Sequence, residues 1–162
     1  MLRLERHRPL LYFAAPLFSE AELAYNLEVT AILELHVDVY LPQRDGGKVV
    51  DLVAKGVEQD AAFRSIYDRD VQALREADAL FLLLDGRVVD EGAAFELGYA
   101  VALGKHCVGL QTDPRRLMPL GNNPMIQVPL SCILTNKFQV EPWAKNFLMS
   151  SQLRNSIQFK RS

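Results

Sequence analysis

The chain has 162 residues, 49% of them hydrophobic and 23% charged, which suits a single globular domain over residues 1–162 with one sizeable core. Eighteen basic against twenty acidic residues leave a net charge of −2. The overall field therefore offers no basic footprint for nucleic acid or an anionic membrane, and small molecules or further copies of the chain are the expected partners.

Met1 to Arg8 alternates apolar with basic side chains and lacks a signal-peptide core, and no later run approaches membrane-spanning length, so the cytoplasm is the expected address. Leu10 to Ala15 reads as a first strand, ended by Pro16. Ser19-Glu20-Ala21-Glu22 has the form of a capping box, and Leu23, Leu27, Ala31 and Leu35 continue a helix from it. Val37 to Leu41 is a second strand, followed by the polar, glycine-bearing loop Pro42 to Gly47, where open α/β sheets place their ligands. A helix over Glu58 to Glu76 precedes a strand over Ala79 to Leu84, which Asp85-Gly86-Arg87 breaks. A helix over Glu91 to Leu103 and a strand over His106 to Leu110 follow. Gln111 to Gln127, rich in Pro, Arg, Gly and Asn, reads as a long surface loop of the kind that often carries function. Cys132 to Leu134 adds a last strand and Pro142 to Leu153 a last helix. Strands alternating with helices predict an α/β fold, a doubly wound, mainly parallel sheet flanked by helices in the flavodoxin or Rossmann manner.

Cys107 and Cys132 both lie in apolar runs and read as buried free thiols, and three scattered histidines complete no zinc spacing. Neither a glycine-rich dinucleotide fingerprint nor a Walker lysine loop is present, which argues against nucleotide-cofactor enzymes of those kinds.

The most informative stretch is Asp90-Glu91-Gly92-Ala93-Ala94-Phe95-Glu96-Leu97-Gly98-Tyr99-Ala100-Val101-Ala102-Leu103. Between Gly92 and Leu103, Glu96 is the sole ionisable carboxylate or base in a helix apolar on every side, the pattern of a buried helix. An unpaired buried carboxylate is costly, so Glu96 must be paired with a basic neighbour, protonated, or turned into a pocket, where nucleophiles and general acids live. Asp90 and Glu91 stand at the helix start, where capping alone could account for one of them. Asp70 lies about two turns before the end of its helix, either as a solvated face residue or as a second acid of a site. Tyr12 and Phe18 lie at the end of the first strand, where the ligand crevice of such a sheet opens, although a lone Tyr12 is also ordinary core.

Together these pieces resemble the nucleoside 2-deoxyribosyltransferase family. The resemblance runs through Leu11-Tyr12-Phe13-Ala14-Ala15-Pro16-Leu17-Phe18, Asp70 with Asp78 before a strand, the Asp90 to Ala100 block, and Asn123-Pro124-Met125, spanning residues 10 to 127 in order. It implies that Glu96 is a nucleophile attacking the anomeric carbon of a 2′-deoxynucleoside, leaving a covalent deoxyribosyl enzyme that a second base then resolves with net retention. Tyr12 would hold the Glu96 carboxylate, and Asp70 and Asp90 would bind the base and handle its proton. Phe18 would line the base pocket with Gln43 beside it, and Gly92 would be a further substrate-binding position. Asn123 would reach the sugar 5′-hydroxyl in an adjacent subunit, with Met125 packing nearby. The implied substrates are 2′-deoxynucleosides and free purine or pyrimidine bases, and the implied assembly is a homo-oligomer of dimers, a tetramer or hexamer with shared sites. A carboxylate nucleophile with a nearby acid is the two-group device of retaining glycoside cleavage, which needs neither a metal nor a redox cofactor.

The nearest rival is a 2′-deoxynucleoside 5′-monophosphate N-glycosidase, a hydrolase on the same framework that admits water. Its relatives carry serine-rich and glycine-rich phosphate contacts where this chain reads Ala14-Ala15-Pro16-Leu17-Phe18, although Arg115 and Arg116 could meet a phosphate. A non-catalytic nucleotide-sensing module on the same scaffold is a third reading, opposed by the joint presence of Glu96, Asp90 and Tyr12.

Overall fold

The computed structural model describes residues 8–115 and 120–159. Met1 to His7 of the alternating N-terminal segment, Arg116 and the basic tail from Lys160 lie outside the described residues. In chain order the elements are β1 (Leu10–Ala14), α1 (Glu20–Leu33), β2 (Asp38–Tyr40), α2 (Val49–Ala54), α3 (Gln59–Glu76), β3 (Ala79–Leu83), α4 (Glu91–Ala102), β4 (His106–Leu110), α5 (Pro124–Gln127), β5 (Ile133–Leu134) and α6 (Val140–Phe159). The strands make one wholly parallel sheet in the order β2-β1-β3-β4-β5. Strand order reverses between β1 and β3, and the crevice outside their carboxyl ends is where such sheets bind ligands.

Helices cover both faces, so the central strands are apolar throughout, as β3 is along its whole length. Alternation along the strands sends Leu11, Phe13, Val39, Phe81, Val108 and Leu110 to the face covered by α1 and α6. Tyr12, Ala14, Leu80, Leu82 and Cys107 point to the other face, covered by α3 and α4, with Tyr40 packed against them.

Local signals explain most boundaries. Ser19 and Glu22 form the reciprocal capping box of α1, Oγ accepting from Glu22 N and the Glu22 carboxylate accepting from Ser19 N. Glu58 caps α3 by accepting from Ala61 N at 2.9 Å. Gly104, at φ +69, takes the left-handed turn that ends the α4 region.

Several expectations are corrected. The buried stripe of α1 is Asn26, Val29, Thr30 and Leu33, while Leu27 and Leu35 are exposed. The helix is apolar on more than one side, and the side carrying Val29 and Leu33 is the one that meets the sheet. Likewise α4 is not buried all round: Ala93, Leu97 and Ala100 pack inward, whereas Phe95 and Val101 face outward. Cys107 is a buried free thiol as expected, but Cys132 is exposed because β5 begins one residue after it. The loop after β2 is a π-helical turn over Pro42–Gly46, followed by the short α2. The long loop before residue 128 contains α5. Among the described residues no helix is long and apolar enough to cross a membrane.

Candidate active site

At the switch point, Tyr12 from the middle of β1 donates its phenol proton to Glu96 Oε1 on α4, with an oxygen separation of 2.5 Å. The small inward residues Ala93 and Ala100 let α4 approach the sheet closely enough for this contact. Among the described residues Glu96 makes no ion pair with a lysine or arginine, so the basic-partner alternative falls away. Glu96 is only partly buried.

Burial dominates its acidity, pushing the carboxyl up to about 8. The Tyr12 hydrogen bond pulls in the opposite direction by favouring the anion, and the charges of Asp70 and Asp90 raise the value further. Tyr12 in turn is held far above an ordinary phenol, first by burial and then by the Glu96 charge, so it stays a donor at any pH the protein meets. A carboxyl poised near neutrality by desolvation and like charges is a frequent mark of catalytic sites.

Asp70 on α3 is half-buried, and its Oδ1 accepts the Tyr40 phenol at 2.7 Å, which removes the reading of a solvated face residue. Burial raises its pKa, while the Tyr40 hydrogen bond and the Arg69 charge oppose that rise. Asp90 is the N-cap of α4, Oδ1 accepting from Ala93 N at 2.8 Å, and its charge also acts on Glu96. Capping and proximity to Glu96 therefore coexist in one residue. Gly92 follows it, and a Cβ there would lie 3.1 Å from Asp90 Oδ1.

Gln43 stands in the π-helical turn with its amide directed inward: Oε1 accepts from Asn26 Nδ2 at 2.8 Å and Nε2 donates to the Leu23 carbonyl at 3.0 Å. Phe18 is 78% exposed and Met125 79%, so neither ring nor thioether is buried within this chain. Asn123 caps α5, Oδ1 accepting from Met125 N. The loop leading to it is tied down at both ends, by Asp85 accepting from Thr112 and Asp113 N–H groups and by a reciprocal amide pair between Gln111 and Asn122. Arg115 is engaged with Asp113. Among the described residues no cluster of histidine, cysteine and acidic side chains could hold a metal ion.

Tyr40 is the residue that sequence reasoning passed over. It pairs in register with Tyr12, and the two rings stack at 5.3 Å. The signal was available: in Val37-Asp38-Val39-Tyr40-Leu41 the period of two puts Tyr40 on the face opposite Val39, the same face as Tyr12 in its own strand.

The nucleoside 2-deoxyribosyltransferase family model matches residues 11–147, beyond the residue 127 where the sequence resemblance stopped and into α6. Among solved structures, the chain is similar to a conserved protein from Enterococcus faecalis V583 (25% identity, TM-score 0.66, covering 86% of this chain and 98% of that one). It is also similar in fold to the 2-deoxyribosyltransferase from the psychrotolerant bacterium Bacillus psychrosaccharolyticus (23% identity, TM-score 0.65, covering 82% and 90%). No curated protein sequence matches it.

Proposed function

The chain belongs to the nucleoside 2-deoxyribosyltransferase family, and from that premise we propose that it moves the 2-deoxyribosyl group between nucleobases by two displacements at Glu96. The observation that carries this is the Tyr12 to Glu96 hydrogen bond at the switch point, on a carboxylate that also feels Asp70 and Asp90.

In the first displacement a Glu96 oxygen attacks C1′ of the deoxynucleoside. The C1′–N bond breaks, its electron pair leaves on the base, and a proton from the Asp70 and Asp90 pair neutralises the departing base. In the second, another base attacks C1′ from the vacated side, its proton returns to the acidic pair, and Glu96 departs as a carboxylate. Two inversions amount to retention. A 2-deoxy sugar reaches the oxocarbenium-like state readily, so a carboxylate, its phenol donor and an acid suffice. Tyr12 favours the anion that attacks, while burial strips water from it.

Residues 1–162 act as one domain in this reading. Phe18, Gln43 and Gly92 border the base and sugar. Asn123 and Met125 serve the site of a neighbouring subunit in a dimer-based tetramer or hexamer, which their outward placement supports.

Incubation with deoxyinosine or thymidine, with and without adenine, tests the reading by chromatography. Deoxyadenosine is expected only when adenine is present, with much slower release of free deoxyribose. Rapid hydrolysis confined to 2′-deoxynucleoside 5′-monophosphates would overturn it in favour of the N-glycosidase.

A further inference from the structure

We propose that Tyr40 and Gly46 are positioning residues for Asp70, together fixing which of its two oxygens faces the substrate base. This rests on the transferase reading and deepens it. Tyr40 occupies Asp70 Oδ1 with its phenol proton at 2.7 Å, and among the described residues no hydrogen bond takes Oδ2. Oδ2 is thus the oxygen left to exchange a proton with a base.

Gly46 makes the arrangement possible. A Cβ built there would lie 2.8 Å from Asp70 Oδ1, closer than Cβ contacts ordinarily come, and 3.3 Å from the Tyr40 hydroxyl, a tight contact. The backbone at Gly46 is not in the left-handed region, unlike that of Gly47 at φ +88. Its lack of a side chain is therefore required by the approach to Asp70 and not by the local turn.

The turn is held against the carboxylate from several sides. Arg69 Nη1 donates to the Gly46 carbonyl at 3.0 Å, Asp45 Oδ2 accepts from Leu41 N at 2.8 Å, and Gln43 is tied to α1 through Asn26. Tyr40 also stacks on Tyr12, the donor to Glu96. Glu96 and Asp70 are consequently each held by a phenol, and the stacked phenols sit in register on adjacent strands. The groups that bear on Asp70 are Tyr40 from β2, Arg69 from α3 itself, Tyr12 from β1 and Glu96 from α4.

Tyr40→Phe keeps the ring and its stacking and deletes the hydroxyl; Gly46→Ala adds one methyl group against Oδ1. For Tyr40→Phe, kcat for base exchange is expected to drop about tenfold with KM within about twofold. Carbon-13 NMR titration of the Asp70 carboxyl is expected to move upward by about one unit, because a hydrogen bond to the anion is gone. Gly46→Ala should lower kcat on the order of 10²-fold through misplacement of the carboxylate. The double variant should lose less than the product of the single losses, since both act through one oxygen. Wild-type kcat in Tyr40→Phe, a loss carried by KM alone, or an unmoved Asp70 titration would each overturn the proposal. If the wild-type chain exchanges no base at all, the transferase reading fails by itself, and the Asp70 titration in the two variants still decides for or against the clamp.

Discussion

The two faces of the sheet draw on the same strands and differ by a single step along each. On one, Phe13 meets Phe81 edge to face, and Phe81, Trp143, Phe147 and His106 continue a run of ring contacts beneath α6. On the other, Tyr12 and Tyr40 stack, but each phenol ends on a carboxylate. The first face is stabilised by area removed from water and by ring packing. The second buries one carboxyl near another and loses stability as they ionise, as the raised pKa values of Glu96 and Asp70 record. One side of the sheet holds the other side's strain.

The most severe way to break this contrast is Glu96→Gln, which keeps an acceptor for Tyr12 and removes the proposed nucleophile. Base exchange should decline by at least about 10⁴-fold, measured as initial rate with deoxyinosine and adenine. Stability should move the other way. The folded carboxyl is pushed up to about 8 against an ordinary 4.5. Between those values the folded chain retains a proton that the unfolded chain has released, so wild-type stability diminishes as pH rises through that window. The variant lacks that slope, and thermal unfolding at about pH 9 should show it more stable than wild type. Phe81→Ala probes the opposite face. It should cost about 3–5 kcal/mol in denaturant unfolding, with kcat per folded molecule unchanged.

How much of this was legible in the sequence follows the same division. Strand and helix order could be read because apolar periodicity and caps are local: β4 and the capping box of α1 lie where the pattern puts them. Tyr12, Asp70, Asp90 and Glu96 could be singled out, since a lone acid in an apolar helix has few reasons to be there. Which side of α1 and α4 meets the sheet could not, because both helices are apolar on more than one side and only the tertiary contacts choose between them. The inward turn of the Gln43 amide depends on Asn26, seventeen residues away, and the approach of Gly46 to Asp70 spans two elements. Tyr40 was visible as a period-two position but gained meaning only once α3 brought Asp70 beneath its hydroxyl.

A subtler break is Tyr12→Phe, which leaves the stacked ring and withdraws the one hydrogen bond favouring the Glu96 anion. The carboxyl should then titrate still higher. Because the proposed attack needs the ionised form, kcat/KM of the wild type should climb about tenfold per pH unit below its apparent midpoint and level off above it. In the variant that midpoint should shift upward by about one unit, leaving roughly a tenfold deficit near neutrality that narrows at alkaline pH. A deficit independent of pH would mean that the Tyr12 hydroxyl does not act through the ionisation of Glu96.

The smallest expected effect sharpens the boundary between the faces. Ser19→Ala removes the acceptor for Glu22 N and should cost about 1 kcal/mol, seen as a melting temperature lower by about 2–4 °C. Helix α1 packs Val29 and Leu33 into the apolar face, and reaches toward the site through Asn26, which holds both the Pro16 carbonyl and Gln43. Asn26 lies about two turns beyond the cap and is itself fully buried, so fraying of the first turn should stop short of it. Exchange kinetics should therefore be unaltered in Ser19→Ala. A matching loss of kcat would mean that the start of α1, with Phe18 at its threshold, belongs to the chemical half of the molecule after all.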